Sequence, residues 1–126
     1  MKIVLDSAAF INSTVFESGE AFTTQAVLNE LKDMKSKLVA DSARAGGSLR
    51  VSSASKEMTE HVRTIAKEIG SLKKLSDVDI GIVSLAFELH AKLITDDFSL
   101  QNLAAHLNVD YDGVARGKIK EKKKFR

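Results

Sequence analysis

The sequence predicts an α/β fold, a three-layer α/β/α arrangement around a central parallel sheet. Two observations carry that prediction. Short β-prone runs alternate with longer stretches of helical apolar periodicity, the pattern that strand–helix–strand crossovers produce. One helical stretch, DVDIGIVSLAFELHA, is apolar on nearly every face between Ile80 and Leu89, so it must be covered on most sides. Length agrees with a single core, because 126 residues without an internal repeat or any proline make one domain without a linker.

The run MKIVL is β-prone, and AAFIN after Asp6 and Ser7 begins a helix, so the chain opens as strand, acid, helix. From Thr23, TTQAVLNELKDMKSKLVADSARA reads as one long helix. Val27, Leu31, Met34 and Leu38 form its apolar stripe, Thr23 or Thr24 its N-cap, and Gly46 with Gly47 its end. LRVSS is the next strand. A helix over SKEMTEHVRTIAKEIG then starts at a Ser55 cap, turns Met58, Val62, Ile65 and Ile69 inward, and stops at Gly70. Ser76 opens the apolar helix, KLIT is a strand, FSLQNLAAHL a helix, and VDY a final strand.

Composition removes several kinds of chemistry. Without cysteine there is no thiolate nucleophile and no Cys-ligated zinc. His61, His90 and His106 are spread with no two at one-turn spacing, so they read as surface or core-edge residues and not as a metal site. The chain begins with no charged-then-apolar leader and has no apolar stretch of membrane-spanning length, from which a cytoplasmic, soluble protein is expected. The last nine residues, KIKEKKKFR, carry a net +5 against +2 for the whole chain, leaving an acidic body at −3. The expected division is a domain over residues 1–115 and a basic tail over 116–126. Such a tail either solvates as a disordered segment or supplies phosphate contacts to RNA.

In a parallel α/β sheet the strands end at one edge, the following helices begin there, and ligands bind in the crevice outside those carboxyl ends. Acids crowd towards that edge from four segments. Asp6 follows the first strand, Asp96 and Asp97 follow KLIT, Asp77 and Asp79 open the apolar helix, and Glu30 lies in the helix after Thr24. Capping accounts for several of them singly: Asp6 can cap AAFIN, Ser76 with Asp79 resembles a capping box, and either Asp96 or Asp97 can cap FSLQNLA. Glu30, read as lying two turns into its helix, is too deep to cap it and is otherwise an ordinary boundary glutamate. Capping never requires the acids to converge, whereas a divalent cation needs several oxygen ligands together and offsets the repulsion among them.

These residues resemble the PIN-domain ribonucleases over nearly the whole chain. The family's pattern is an Asp ending the first strand, here VLDSAAFI; a Glu in the second helix, here AVLNELKD; an Asp three residues after Ser or Thr, here LSDVDIGIVSLA; and a Thr-x-Asp after a later strand, here LITDDFSLQN. Asp6, Glu30, Asp79 and Asp97 stand at the four positions, with Thr95 opening the Thr-x-Asp and Asp96 between. Within the family the likeness, including Gln101-Asn102, is greatest to the endonucleases that mature the 3′ end of small-subunit ribosomal RNA. Those enzymes usually continue into a zinc ribbon, and this chain has no cysteine to build one. It is then either a minimal member or a piece that ends before the ribbon.

The resemblance implies hydrolysis of RNA phosphodiesters with one or two Mg²⁺ or Mn²⁺ ions. Asp6, Asp79 and Asp97 would hold the metal and Glu30 would position or deprotonate the attacking water. Ser7, Ser76, Asp77, Thr95, Asp96 and Asn102 would orient those carboxylates or add charge around them. For RNA the expected contacts are Lys32, Lys35, Lys37, Arg44, Arg50, Lys73, Lys74 and, in the tail, Lys122, Lys123 and Lys124. Phe16, Phe22 and Tyr111 are the aromatics considered for base stacking. Pre-ribosomal RNA or the small ribosomal subunit is the expected partner, with a further protein partner left open. Three rivals stand beside this reading. They are a toxin ribonuclease restrained by an antitoxin, a noncatalytic RNA-binding assembly scaffold, and a phosphoacceptor receiver domain, which lacks here its second loop acid and its lysine.

Overall fold

The computed structural model describes residues 1–11 and 20–114. The basic tail, with Lys122, Lys123 and Lys124, and the candidate stacking residue Phe16 lie outside the described residues. Five strands, β1 Lys2–Leu5, β2 Glu20–Thr23, β3 Leu49–Val51, β4 Lys92–Ile94 and β5 Tyr111–Asp112, form one sheet. All four pairings are parallel and the order is β3-β2-β1-β4-β5. Helices cover both faces of the sheet, giving the three-layer α/β/α fold that the alternation of periods predicts.

β1 is the central strand, and its last residues, Val4 and Leu5, are fully buried, as expected where helices cover both faces of a parallel sheet. The chain first builds outward from β1 through β2 to β3, then crosses to the other side of β1 for β4 and β5. That reversal leaves a crevice at the carboxyl ends of β1 and β4, the place where such sheets bind ligands. The β2 strand was not legible in the sequence: EAFT is buried from Ala21 through Thr23, so it has no alternating pattern, and its first residue is a glutamate.

The six helices described are α1 Ser7–Ile11, α2 Gln25–Glu30, α3 Met34–Ala45, α4 Lys56–Glu68, α5 Asp77–Leu89 and α6 Phe98–His106. The single long helix expected from Thr23 is instead α2 and α3. Leu31 is extended, and Asp33 caps a new helix by accepting the Ser36 N–H at 2.9 Å. The expected stripe breaks with it: Val27 and Leu31 are buried, whereas Met34 is 70% and Leu38 55% exposed. Thr23 belongs to β2, and Thr24 is the cap of α2. Elsewhere the expected caps are present, Ser55 on α4 and Ser76 on α5. On α4, Val62 is fully buried, while Met58, Ile65 and Ile69 are partly covered. Residues Ile80 and Ile82 to Ala86 of α5 are buried, so this apolar helix is enclosed as predicted. His61 of α4 stacks on Phe87 of α5 with ring centroids 6.0 Å apart, a packing role at the core edge. Among the described residues no helix is long and apolar enough to cross a membrane.

Candidate functional site

Backbone hydrogen bonds continue past the ends of the strands and set the acids at one edge. The Asp6 N–H donates to the Ile94 carbonyl at 3.1 Å, and the Thr95 N–H to the Asp112 carbonyl at 2.9 Å. Asp6 and Thr95 thus extend adjacent strands at the crevice. On the other side of β1, the buried Thr23 hydroxyl donates to the Leu5 carbonyl at 2.8 Å and ties β2 to the same end. Thr23 gave no signal in the sequence beyond its possible use as a cap.

Thr95 joins two of the acids. Its buried hydroxyl donates to Asp6 Oδ2 at 2.8 Å and accepts the Asp97 N–H at 3.1 Å. Gln101, one turn into α6, donates from Nε2 to the Thr95 carbonyl at 2.8 Å. Gln101 is therefore the member of the Gln101-Asn102 pair that supports the site, whereas Asn102 is exposed. The signal was available: Gln101 lies four residues after Asp97, on the face of α6 above its first turn.

The paired acids engage different partners. Asp97, the anticipated metal ligand, is itself the N-cap of α6: its Oδ1 accepts from the Ser99 N–H at 2.7 Å and from the Leu100 N–H at 3.3 Å. Asp96 does not cap that helix. Its Oδ1 accepts the Val114 N–H at 2.8 Å and fastens the segment after β5. Both carboxylates are exposed.

Asp79 and Ser76 form the anticipated capping box, with Asp79 Oδ2 accepting the Ser76 N–H at 3.0 Å and Ser76 Oγ the Asp79 N–H at 3.1 Å. The bonds on Asp79 and Asp97 each occupy one carboxylate oxygen, so capping and ligand binding do not exclude each other. Asp77 pairs with Arg63 of α4 at 3.0 Å, a cation the sequence gave no reason to single out.

Asp6 is the electrostatic centre of the set. Burial raises its carboxyl above the ordinary 3.8, and the charges of Asp79 and Asp97 push in the same direction, while bonds from Thr95 and the Ser7 N–H oppose them. Acids from two other segments therefore act on Asp6 at the crevice. Glu30 is exposed at the last position of α2, not two turns into a long helix. Among the described residues, no three acidic or histidine side chains already stand close enough to form a closed metal cage. The donor set is nevertheless all oxygen, suited to a hard cation that keeps several waters and needs only one or two carboxylates directly.

The basic residues expected to meet RNA differ in their surroundings. Lys73 and Lys74, exposed in a short 3₁₀ turn, lead directly into Ser76. Lys32, Lys35, Lys37 and Arg44 are exposed, and Lys37 and Arg44 line a cavity of about 470 Å³ between α2 and α3 together with Asp41. Arg50, exposed, forms a surface ion pair with Glu20 at 3.6 Å. Phe22 is buried and cannot stack on a base; Tyr111 is 41% exposed. At the same carboxyl edge, residues after β2 and β3 and the start of α5 enclose a cavity of about 290 Å³ lined by Thr24, Ser53, Thr59, Asp77 and Gly81.

Comparison with known proteins places the chain among ribonucleases. A model of the PIN domain of ribonuclease matches residues 3–89. The chain is 34% identical over 117 residues to Endoribonuclease Nob1 of Pyrococcus abyssi, covering 93% of this chain and 71% of that protein. It is 37% identical to Endoribonuclease Nob1 of Methanocaldococcus jannaschii, covering 91% of this chain but only 58% of that protein. It is also 34% identical to Ribonuclease VapC3 of Aeropyrum pernix, covering 90% of this chain and 84% of that protein.

Proposed function

Because the chain belongs to the PIN-domain ribonucleases, we propose that it is a divalent-metal-dependent endoribonuclease that hydrolyses phosphodiester bonds in ribosomal RNA, at or near the 3′ end of the small-subunit species. The observation that carries the reading is the linked set of Asp6, Thr95 and Asp97 at the strand-order reversal, with the charge of Asp79 acting on the same carboxylate. The rRNA assignment rests on similarity to the Nob1 endoribonucleases. In this reading the protein acts in the cytoplasm, with pre-ribosomal RNA or the small subunit as its partner.

Asp6, Asp79 and Asp97 would hold Mg²⁺ or Mn²⁺, and such an ion, when bound, acidifies water and stabilises charge on the phosphoryl oxygens. Thr95 holds the Asp6 carboxylate and the start of α6 in register, and Gln101 holds Thr95. Water attacks phosphorus, the bond to the 3′ oxygen breaks, and the products are a 5′-phosphate and a 3′-hydroxyl. Glu30 is assigned to accept the proton of that water. Lys73 and Lys74, leading into α5, are assigned to the RNA backbone, where charge contributes affinity without sequence selection.

The test is incubation of labelled structured RNA with the protein and Mn²⁺, beside the same reaction in EDTA and with Asp97→Asn. Cleavage in the first reaction alone supports the reading. Equal cleavage in all three identifies a contaminant, and cleavage in none favours an RNA-binding scaffold. A second reading, a toxin-type ribonuclease, is favoured by the larger share of VapC3 that the chain covers. Preference for precursors that contain the small-subunit 3′ end, over transfer and messenger RNA, separates the two.

A further inference from the structure

We infer that Phe98 is a stacking platform for a nucleobase that flanks the scissile phosphate, an inference that rests on the ribonuclease reading above. Phe98 immediately follows Asp97 and is the first residue of α6. At 85% exposure it is the most exposed large apolar side chain among the described residues, and it adjoins Asp97 in sequence. A large aromatic left in water at this place forfeits the burial that normally retains such side chains in a fold.

The backbone beneath the ring is held firmly. Asp97 Oδ1 accepts from the two N–H groups that follow Phe98, the Asp97 N–H is bonded to Thr95 Oγ1, and Gln101 on the next turn grips the Thr95 carbonyl. The platform and the acids are therefore positioned by one set of hydrogen bonds. An RNA strand whose phosphate is presented to Asp6 and Asp97 carries a flanking base past residue 98. Every base has a π-face, so stacking there would orient the strand without reading its sequence. It also requires an unpaired nucleotide, because bases inside an RNA duplex are already stacked and hidden. Phe98 thus selects single-stranded or loop segments. The aromatic residues considered from sequence offer less: Phe22 is buried, and Tyr111 is less than half as exposed as Phe98.

The chain has no tryptophan, so Phe98→Trp installs a unique fluorophore at the proposed contact. Binding of a single-stranded 16-nucleotide RNA of mixed sequence is measured in an Asp79→Asn background with Mn²⁺ to prevent cutting, and cleavage is measured with Asp79 intact. Phe98→Ala is expected to weaken RNA binding by about 5- to 150-fold, the worth of one stacked base, with an unchanged Tm because the ring is exposed. Phe98→Leu should fall with Phe98→Ala, and Phe98→Trp should bind like the unsubstituted protein, with its fluorescence quenched by single-stranded RNA more than by duplex. The stacking role is overturned if the protein cuts RNA and Phe98→Ala or Phe98→Leu binds and cuts equally well. It is also overturned if the emission of the Phe98→Trp variant is unchanged at saturating RNA; a ring that serves a protein partner gives those results. If the unsubstituted protein neither binds nor cuts RNA, the ribonuclease reading falls and stacking with it.

Discussion

Thr95 Oγ1 donates to Asp6 Oδ2 at 2.8 Å across 89 residues of sequence. The same oxygen accepts the Asp97 N–H at 3.1 Å. A hydroxyl has one proton to give and lone pairs to receive, so a single atom orients one acid and fixes the backbone of another. Burial makes both bonds consequential, since Thr95 is wholly removed from solvent and neither partner can exchange that bond for water at the threonine.

Thr95→Val keeps the shape and removes both bonds. The expected loss is about 1–3 kcal/mol of stability, because an N–H and a carboxylate each lose a buried partner. Cleavage should fall about 10- to 100-fold, as when a residue that orients a metal-binding carboxylate is removed. Thr95→Ser should restore most of both. Urea unfolding and single-turnover cleavage read the two effects separately, and a valine variant with unchanged rate would detach Thr95 from the chemistry.

Asp6 gives the fold a defined pH dependence. Burial and the charges of Asp79 and Asp97 raise its carboxyl in the folded state above 3.8. The folded protein then binds more protons at this group than the unfolded chain does between those two values. Its contribution to stability is fully present below 3.8 and declines as pH rises through the folded value, beyond which the penalty is constant. Asp6→Asn should therefore melt higher than the parent protein at neutral pH in EDTA, and its advantage should shrink as pH falls through that window. Mn²⁺ should raise the Tm of the parent more than that of the variant. An Asp6→Asn protein less stable than the parent in EDTA at neutral pH contradicts the assignment.

The site was legible in the sequence where its residues carry local signals as well as functional ones. Ser76 and Asp79 are separated by the spacing of a capping box and form one, and Asp6 and Thr95 stand at the ends of apolar runs that become adjacent strands. The fold class followed from the alternation of periods, but β2 did not, since a buried strand of four residues has no alternation to read. The break between α2 and α3 was hidden because no glycine or proline marks it; only the cap at Asp33 with Ser36 does. That break changes the meaning of Glu30, which sits at a helix end and not on a continuous face. The division of labour between Asp96 and Asp97 was not legible at all. Either could cap α6 on spacing alone, and the Val114 N–H that engages Asp96 is 18 residues away.

The two neighbours should respond differently to substitution. Asn caps a helix about as well as Asp, so Asp97→Asn should keep the stability of the parent and lose cleavage, whereas Asp97→Ala should also lose about 1 kcal/mol with the cap. Asp96→Asn retains an oxygen for the Val114 N–H and should only weaken cleavage. Parallel melting and cleavage assays make the comparison, and equal loss of rate in the two asparagine variants would deny Asp97 its separate role.

Gly113 provides a structural test of what Asp96 does. A Cβ at this position would lie 2.9 Å from Asp96 Oδ1, the atom that accepts the Val114 N–H. Gly113→Ala must therefore displace that carboxylate and should cost about 1 kcal/mol, the net worth of such a bond. Asp96→Ala leaves the same N–H without its acceptor and should cost a comparable amount. Once Asp96 is gone the added methyl meets no side chain, so Gly113→Ala should be nearly neutral in the Asp96→Ala background. The double-mutant cycle is expected to show a coupling of about 1 kcal/mol, measured by denaturant unfolding; additive losses would mean that the glycine serves the backbone and not the carboxylate.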